Sequence, residues 1–316
     1  IEDSDLIILI GTNPRYEATI LNLRIRKSYL KNKTKIYSFG DIGDQTYPYE
    51  IIENSSDKIK EIIENKENEI ADKILKSSKP IIIIGQSTLK TKSAKYVFEN
   101  LKNYLTKNNK INNQWNALNI ISNNASTVGS YDLDLLSGNG AENPTLEKIK
   151  KNQFEVIFLF GQDSLNFNKV NEFIIYIGSH GDEGAKLADI ILPGASFSEQ
   201  DAHYTNLEGK IQKAYQASYP PGQAKEDWEI INDLSELLKR KKLFKHKNEL
   251  VDSMLNYLKI KKRDNDIIEN DIHFESEKII IDPIDYYFSN VIARASKTMF
   301  ECRREKIKIG KTGTEG

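Results

Sequence analysis

Short apolar runs recur along the chain, each with four or five residues and without alternation of polar positions. They are Leu6–Ile10, Lys35–Phe39, Ile81–Ile84, Ala117–Ile121, Val156–Phe160, Phe173–Ile177 and Asp189–Leu192. Continuous runs of β-branched and aromatic residues indicate strands that are buried on both faces, as in a parallel sheet. Glycine follows several runs directly, and it permits a sharp turn into the next element. These glycines are Gly11, Gly40, Gly85, Gly161 and Gly178.

Helical patterns lie between the predicted strands. Thr12-Asn13-Pro14 is typical of a helix start and predicts a helix to about Asn32. Two further helices are predicted over Asp57–Lys76 and Ala94–Leu105. This alternation of strands and helices predicts an α/β fold with a doubly wound, mostly parallel sheet.

The pattern changes after residue 212. Glu226–Lys239 is strongly amphipathic, and the basic stretch Lys239–Lys242 that follows is interpreted as a solvated helix end in preference to an anion site. We therefore predict two domains, a Rossmann-like α/β domain over residues 1–212 and a mainly helical C-terminal extension over residues 213–316.

Composition narrows the function classes. The chain of 316 residues is 39% apolar and 29% charged, with a net charge of −1. This balance gives no support for nucleic acid or an anionic membrane as a bulk partner, which would favour a basic excess. No apolar run reaches the 18–20 residues or so that span a bilayer. Heavy use of Lys, Asn and Ile is typical of AT-rich coding sequence, and an organellar gene and a low-GC bacterial or nuclear gene both fit.

Cys302 is the only cysteine in the sequence, so it excludes an intrachain disulfide. An iron–sulfur cluster needs about four thiolate ligands, so a cluster within this chain is also excluded. Arg303 and Arg304 beside it could lower the pKa of a thiol, but Cys302 is interpreted as a bystander. The predicted metal and cofactor set of this chain is therefore empty.

Gly11-Thr12-Asn13-Pro14-Arg15 follows the first predicted strand, where Rossmann-like folds bind phosphate. The stretch lacks both G-x-G-x-x-G and the P-loop motif, and Pro14 removes one helix-terminal donor. A tight strand-to-helix turn is the favoured interpretation. A free-standing nucleotide-binding module remains an alternative.

The strongest case for catalysis lies after the strand Phe173–Ile177. His180 and Asp182, together with Asp201 and His203 further along, could form a His/carboxylate metal site of a metallohydrolase, with Glu199 nearby. Their spacing matches no metal motif, and Gly181 and Gly184 explain a turn without a ligand role. Ser196 and Ser198 lack the G-x-S-x-G context of a hydrolase nucleophile.

Four long stretches, taken together and in order, resemble one family. They are DLIILIGTNPRYEATILNLRIRKSYL (5–30), IIYIGSHGDEGAKLADIILPGASFSEQDAHYTNLEGKIQ (174–212), SYPPGQAKEDWEIINDLSELL (218–238) and VIARASKTM (291–299). The resemblance is to the largest iron–sulfur subunit of respiratory complex I, the NADH:ubiquinone oxidoreductase, and it covers nearly the whole chain.

The resemblance implies a division of labour. In this family the N-terminal half carries the iron–sulfur clusters, and the C-terminal half resembles molybdopterin oxidoreductases but in mitochondria binds no molybdenum cofactor. This chain corresponds to most of that C-terminal half, so its clusters are expected in a missing half or a partner chain. We expect a non-catalytic structural role in the matrix-facing arm of the inner-membrane complex, beside other peripheral-arm subunits. A molybdopterin oxidoreductase fragment is the alternative.

Overall fold

The computed structural model describes all residues except 65–67, 136–143, 164, 166, 261–271, 282 and 310–316. The chain forms two compact units. Unit 1 contains Ile1–Val128 and the described part of Arg263–Pro283. Unit 2 contains the described parts of Gly129–Ser137, Pro144–Lys262 and Ile284–Gly316.

Unit 1 is a parallel sheet with helices between its strands. Its elements in chain order are β1 (Leu6–Ile10), α1 (Pro14–Glu17), α2 (Thr19–Asn32), β2 (Lys35–Phe39), β3 (Glu50–Ile52), α3 (Ser56–Ile63), α4 (Glu69–Lys76), β4 (Pro80–Ile84), α5 (Gln86–Leu89), α6 (Ala94–Lys107) and β5 (Leu118–Ile120). The strands lie in the order β3-β2-β1-β4-β5, and all four pairings are parallel. This is the doubly wound arrangement, with its switch point between β1 and β4.

The strands of unit 1 are buried on both faces, as their continuous apolar runs predict. Alternate residues of β1 enter opposite cores, with Ile8 packing among the residues of α3, α4 and α6, and Ile7 packing with Ile25 of α2. All five residues of β1 and all five of β4 are buried. Burial of these side chains supplies most of the stabilisation of the unit, at roughly 1.5–3 kcal/mol for each large aliphatic side chain.

Unit 2 contains a smaller parallel sheet, a hairpin and a series of helices. Its elements are α7 (Thr127–Asp132, which begins in unit 1), α8 (Pro144–Lys150), β6 (Val156–Phe160), β7 (Phe173–Gly178), α9 (Glu183–Leu187), β8 (Ile190–Pro193), β9 (Ala202–Thr205), β10 (Ile211–Ala214), α10 (Asp227–Leu237), α11 (Lys247–Ile260), a 3₁₀ turn (Tyr286–Phe288), α12 (Val291–Ala295) and α13 (Lys297–Ile309). The sheet has the order β6-β7-β8, and β9 pairs with β10 in an antiparallel hairpin.

The predicted α/β fold with mostly parallel strands is confirmed, and all seven predicted strands form to within a residue or two at each end. They belong to two sheets, however, whereas the prediction places them in one. The predicted helix to Asn32 is interrupted at Ala18, which ends α1 and precedes α2. The predicted helix over residues 57–76 is two helices, and residues 65–67 between them lie outside the described part.

One prediction about burial is wrong. The run Val156–Phe160 reads as a strand buried on both faces, but in β6 only Ile157 and Leu159 are buried, while Val156, Phe158 and Phe160 are exposed. Every named element after Ala214 is helical within the described residues, which fits the helical character predicted for residues 213–316. The division of the chain into domains at residue 212 stays a prediction.

Candidate functional site

The crevice of unit 1 lies at the carboxyl ends of β1 and β4, where the strand order reverses. Doubly wound sheets bind ligands at this position. Gly11 follows β1 and Gly85 follows β4, so both glycines border the crevice. The stretch predicted as a turn or an anion site, residues 11–15, forms its rim.

The two glycines allow the turns after β1 and β4 to pack directly on each other. The Gly85 amide donates to the carbonyl of Ile10 at 2.8 Å, and a Cβ on Gly85 would stand 2.1 Å from the carbonyl oxygen of Gly11. Gly11 has a φ of +59°, and a Cβ there would stand 2.1 Å from Oγ1 of the fully buried Thr88. Protein backbone therefore fills the space that a dinucleotide would need between the turns.

The polar donors after β1 are bound by the chain itself. The Thr12 hydroxyl donates to Oε2 of Glu17 at 2.7 Å, and the Asn13 amide donates to Oε1 of the same carboxylate at 3.1 Å. The Arg15 amide donates to Oε1 of Gln45 at 3.2 Å, and Pro14 has no amide proton. An internal carboxylate thus takes the place that a phosphate takes at such helix starts.

A short segment that we call the strap, residues 275–279, crosses the carboxyl edge of the same sheet. Ser56 opens α3, and its amide donates to the carbonyl of Glu277 at 2.9 Å, while its hydroxyl accepts from the Glu277 amide at 2.9 Å. Ser93 precedes α6, and its amide donates to Oε1 of Glu277 at 3.0 Å. The strap therefore satisfies the free donors at the start of two helices.

The strap also closes the crevice sterically. Ile279 is buried, and its Cγ2 would lie 2.9 Å from a Cβ on Gly11. Its carbonyl accepts from the Asn54 side-chain amide, and its amide donates to the carbonyl of Asn54 at 3.3 Å. A pterin or nucleotide phosphate does not fit the described residues of this crevice, because its space and its donors are both occupied.

The metal-site candidates His180 and Asp182 serve other purposes in unit 2. Nε of Arg294 donates to Oδ2 of Asp182 at 2.9 Å, and Nη2 of Arg294 donates to Oδ2 of Asp163 at 2.5 Å. Burial alone would lower the pKa of Arg294, but the hydrogen bonds and charges of the two carboxylates raise it. His180 accepts the Tyr176 hydroxyl on its backbone carbonyl at 2.8 Å, and its exposed ring contacts Ser179.

The glycines of this turn have a packing role. The ring of Tyr176 lies 3.0 Å from the position of a Cβ on Gly184, and its hydroxyl lies 2.4 Å from a Cβ on Gly178. Burial first, and then the charges of Asp163 and Asp182, raise the pKa of Tyr176, so its hydroxyl stays protonated. The sequence His180–Gly184 is therefore explained by a buried tyrosine and an arginine between two carboxylates.

Asp201 and His203 lie on the hairpin. Asp201 forms an ion pair with Lys213 at 2.8 Å, and the hydrogen bond with Lys213 is the main cause of its lowered pKa. Both residues border a groove of about 520 Å³ that is also lined by Trp228, Leu250 and Met254. His180 and Asp182 are not among the lining residues of that groove.

Within the described part of the chain, no group of three or more His, Cys, Asp or Glu side chains is arranged to hold a metal ion. The hydroxyls of Ser196 and Ser198 lie 3.0 Å apart. Cys302 is exposed on α13, and the basic residues 239–242 are exposed directly after α10. No described helix is long and apolar enough to cross a membrane.

Several residues that shape these sites carry no sequence signal. Glu17, Ser56 and Glu277 read as ordinary polar positions, and Asp163 and Arg294 are 131 residues apart. Arg294 falls inside VIARASKTM, the last of the four stretches that carry the resemblance. That stretch is therefore the available pointer to the ion-pair cluster.

Comparisons with known proteins agree with this geometry. A profile of the molybdopterin oxidoreductase family matches residues 1–237. The 75 kDa subunit of NADH-ubiquinone oxidoreductase from Reclinomonas americana is 37% identical over 315 residues, covering 96% of this chain and 45% of that protein. The mitochondrial 78 kDa subunit from Candida albicans is 32% identical, covering 96% of this chain and 43% of that protein.

A bacterial relative shows the same relation. This protein, which belongs to the NADH-quinone oxidoreductase of Rickettsia bellii, is 33% identical, covering 99% of this chain and 46% of its own length. The chain thus spans less than half the length of these curated relatives. The resemblance expected from the four stretches is confirmed.

Proposed function

The chain belongs to the molybdopterin oxidoreductase family, and from this premise we propose that it is a non-catalytic structural part of the large subunit of respiratory complex I. In this role it supports electron transfer from NADH to ubiquinone without carrying a redox centre. It docks beside the cluster-bearing part of the subunit, in the peripheral arm on the matrix side of the mitochondrial inner membrane, among other peripheral-arm subunits.

The observation that carries the proposal is the filled crevice of unit 1. Gly11 and Gly85 bring two turns into contact, Glu17 binds the donors after β1, and Ile279 of the strap packs beside Gly11. The family places its pterin cofactor in α/β units of this kind, whereas here the crevice is packed like a protein interior. What this region supplies is therefore a stable surface for assembly.

The first test is co-purification. A tagged form of the chain should migrate with an intact, membrane-bound NADH dehydrogenase complex in native electrophoresis. The proposal is wrong if the chain elutes as a free protein while the complex assembles without it. It is also wrong if iron and labile sulfide are stoichiometric with this polypeptide alone.

The single cysteine allows a second test. Because a cluster needs several thiolates, the substitution Cys302→Ser should leave every iron–sulfur EPR signal and the NADH:ubiquinone activity of the complex unchanged. Cys302→Ala serves as a matched control that introduces no hydroxyl group. Loss of one cluster signal in both variants would show that this chain contributes a ligand.

A molybdopterin oxidoreductase fragment is the competing function, since the family profile covers residues 1–237. It requires a bound cofactor, so molybdenum analysis and pterin fluorescence of the purified complex separate the two. A stoichiometric signal for both would refute the structural proposal.

A further inference from the structure

The sheet of unit 2 has one apolar face that the described residues leave largely exposed. The exposed side chains are Val156 at 49%, Phe158 at 40%, Phe160 at 44%, Phe173 at 44% and Ile190 at 44% of their full accessibility. Phe158 and Phe160 stack along β6 with ring centroids 6.3 Å apart. We call this set the open face. A row of large apolar side chains on a parallel sheet is normally covered.

The opposite face of the same sheet is covered. Ile157 and Leu159 of β6 and Ile174 and Tyr176 of β7 are buried, and they pack with residues of α8 and α9 and of the loop between β6 and β7. The chain proceeds from β6 to β7 and on to β8 in one direction across the sheet. Right-handed crossovers that advance in one direction all lie on one face.

Unit 1 shows what completes such a sheet. There the chain moves from β1 through β2 to β3 on one side, and through β4 to β5 on the other side. The two directions place helices on both faces, and β1 is buried on both. The sheet of unit 2 contains only one of the two directions within the described residues.

The outer edge of β6 is also available. The carbonyl of Glu155 accepts from the Phe173 amide at 2.8 Å, and the Gly161 amide donates to the carbonyl of Ile177 at 2.7 Å. Odd-numbered residues of β6 therefore direct their backbone groups toward β7. The even-numbered residues, which carry the open face, direct theirs toward the outer edge, and β6 pairs only with β7 among the described strands.

We propose that the open face and the outer edge of β6 receive a strand–helix–strand segment from the remaining part of the complex I subunit. Its first strand pairs in parallel with β6, and its crossover helix runs away from β6 and covers Phe158 and Phe160. The relatives extend well beyond the region they share with this chain, which covers 45% of one of them, so they provide the length for such a segment. This inference rests on the proposed function.

The test uses cysteine labelling in the assembled complex. Cys302→Ser gives a chain without cysteine, into which Phe158→Cys or the control Ile157→Cys is introduced. Maleimide should label position 158 in the purified chain, and its labelling rate should fall by about tenfold or more in the complex, as buried sites are protected. Position 157, on the covered face, should stay unreactive in both states and so reports an intact fold.

Hydrogen exchange of the β6 peptide tests the strand pairing. The amides of Phe158 and Phe160 should exchange quickly in the purified chain and slowly in the complex. Fast exchange in the complex would overturn the strand addition, and equal maleimide labelling in both states would overturn the covering. Protection in the purified chain with a doubled mass in light scattering would assign the face to a second copy instead. Failure to co-purify would refute the proposed function itself.

Discussion

A Cβ on Gly85 tests whether the crevice of unit 1 is as tightly filled as the contacts indicate. Gly85 has a φ of −87°, which any residue adopts, so the substitution Gly85→Ala brings no backbone strain of its own. At such positions alanine usually stabilises a protein by about 0.4–1 kcal/mol, because it restricts the unfolded chain. The direction of the effect therefore decides the question.

The geometry predicts the opposite sign. The added Cβ would lie 2.1 Å from the Gly11 carbonyl oxygen and 2.5 Å from Cβ of Thr12, closer than atoms of folded proteins approach. Relief requires the two turns to separate, which costs about 1–3 kcal/mol for overpacking. Separation also stretches the 2.8 Å hydrogen bond from Gly85 to Ile10 and loses about 1 kcal/mol. We expect a net loss of about 2–4 kcal/mol.

The assay can isolate unit 1, because the chain has two tryptophans and each lies in a different unit. In a Trp228→Phe background, the fluorescence of Trp115 reports urea unfolding of unit 1, where its indole donates to the carbonyl of Pro80. Gly181→Ala is the matched control, read through Trp228 in a Trp115→Phe background. Its nearest neighbour would be Cβ of Ala185 at an ordinary 3.6 Å, so we expect a change within about 0.5 kcal/mol.

A Gly85→Ala protein that is as stable as the parent, or more stable, would refute the reasoning. It would mean that the turns after β1 and β4 can part without cost, and the crevice would then be open to a ligand. A changed slope of the urea transition would instead point to an altered denatured state.

Three further predictions concern the polar contacts. Ser56→Ala removes hydrogen bonds to the strap, so unit 1 should lose about 1–2 kcal/mol, with faster amide exchange confined to residues 275–279; unchanged exchange would contradict the strap. Arg294→Met leaves the carboxylate of Asp163 buried without a partner, and unit 2 should lose about 2–4 kcal/mol by Trp228 fluorescence, with Arg294→Lys losing less. Hydrogen bonds from residues 77–79, led by that of the Ser77 hydroxyl, outweigh burial and lower the pKa of Asp5, so its contribution is present above its unfolded value near 3.8 and is lost as pH falls through the lowered pKa. Asp5→Asn should therefore destabilise unit 1 by about 1 kcal/mol at pH 7 in urea melts, and an equal difference at pH 2 would contradict this.

The fold can be predicted where burial is symmetric. β1 and β4 are apolar on both faces, so their runs fix their positions almost to the residue. The three-residue β3 and the hairpin strands β9 and β10 have no such run, because they are short or carry polar residues, and the sequence does not predict them. Val156–Phe160 has the composition of a buried strand but is covered on one side, and a single sequence cannot distinguish the two.

The site can be predicted only in part. The interpretation of residues 11–15 as a packed turn, in preference to a nucleotide motif, depends on an incomplete glycine pattern and agrees with the contacts of Gly11. The strap cannot be found from the sequence, since its bonds to Ser56 join residues 219 and 221 positions apart and follow no periodicity. The same holds for the ion pairs of Arg294, which depend on three-dimensional proximity alone.

The strap has a consequence for how the protein is made. The hydrogen bond from Asn54 to Ile279 joins residues 225 positions apart, with most of unit 2 encoded between them. At about 5–20 residues per second, ribosomes need roughly 11–45 s to synthesise that interval. During this time the first 128 residues can form their sheet, but the donors of Ser56 and Ser93 have no strap to bind. Unit 1 is therefore completed late in translation, and its crevice closes only after the chain of unit 2 has emerged.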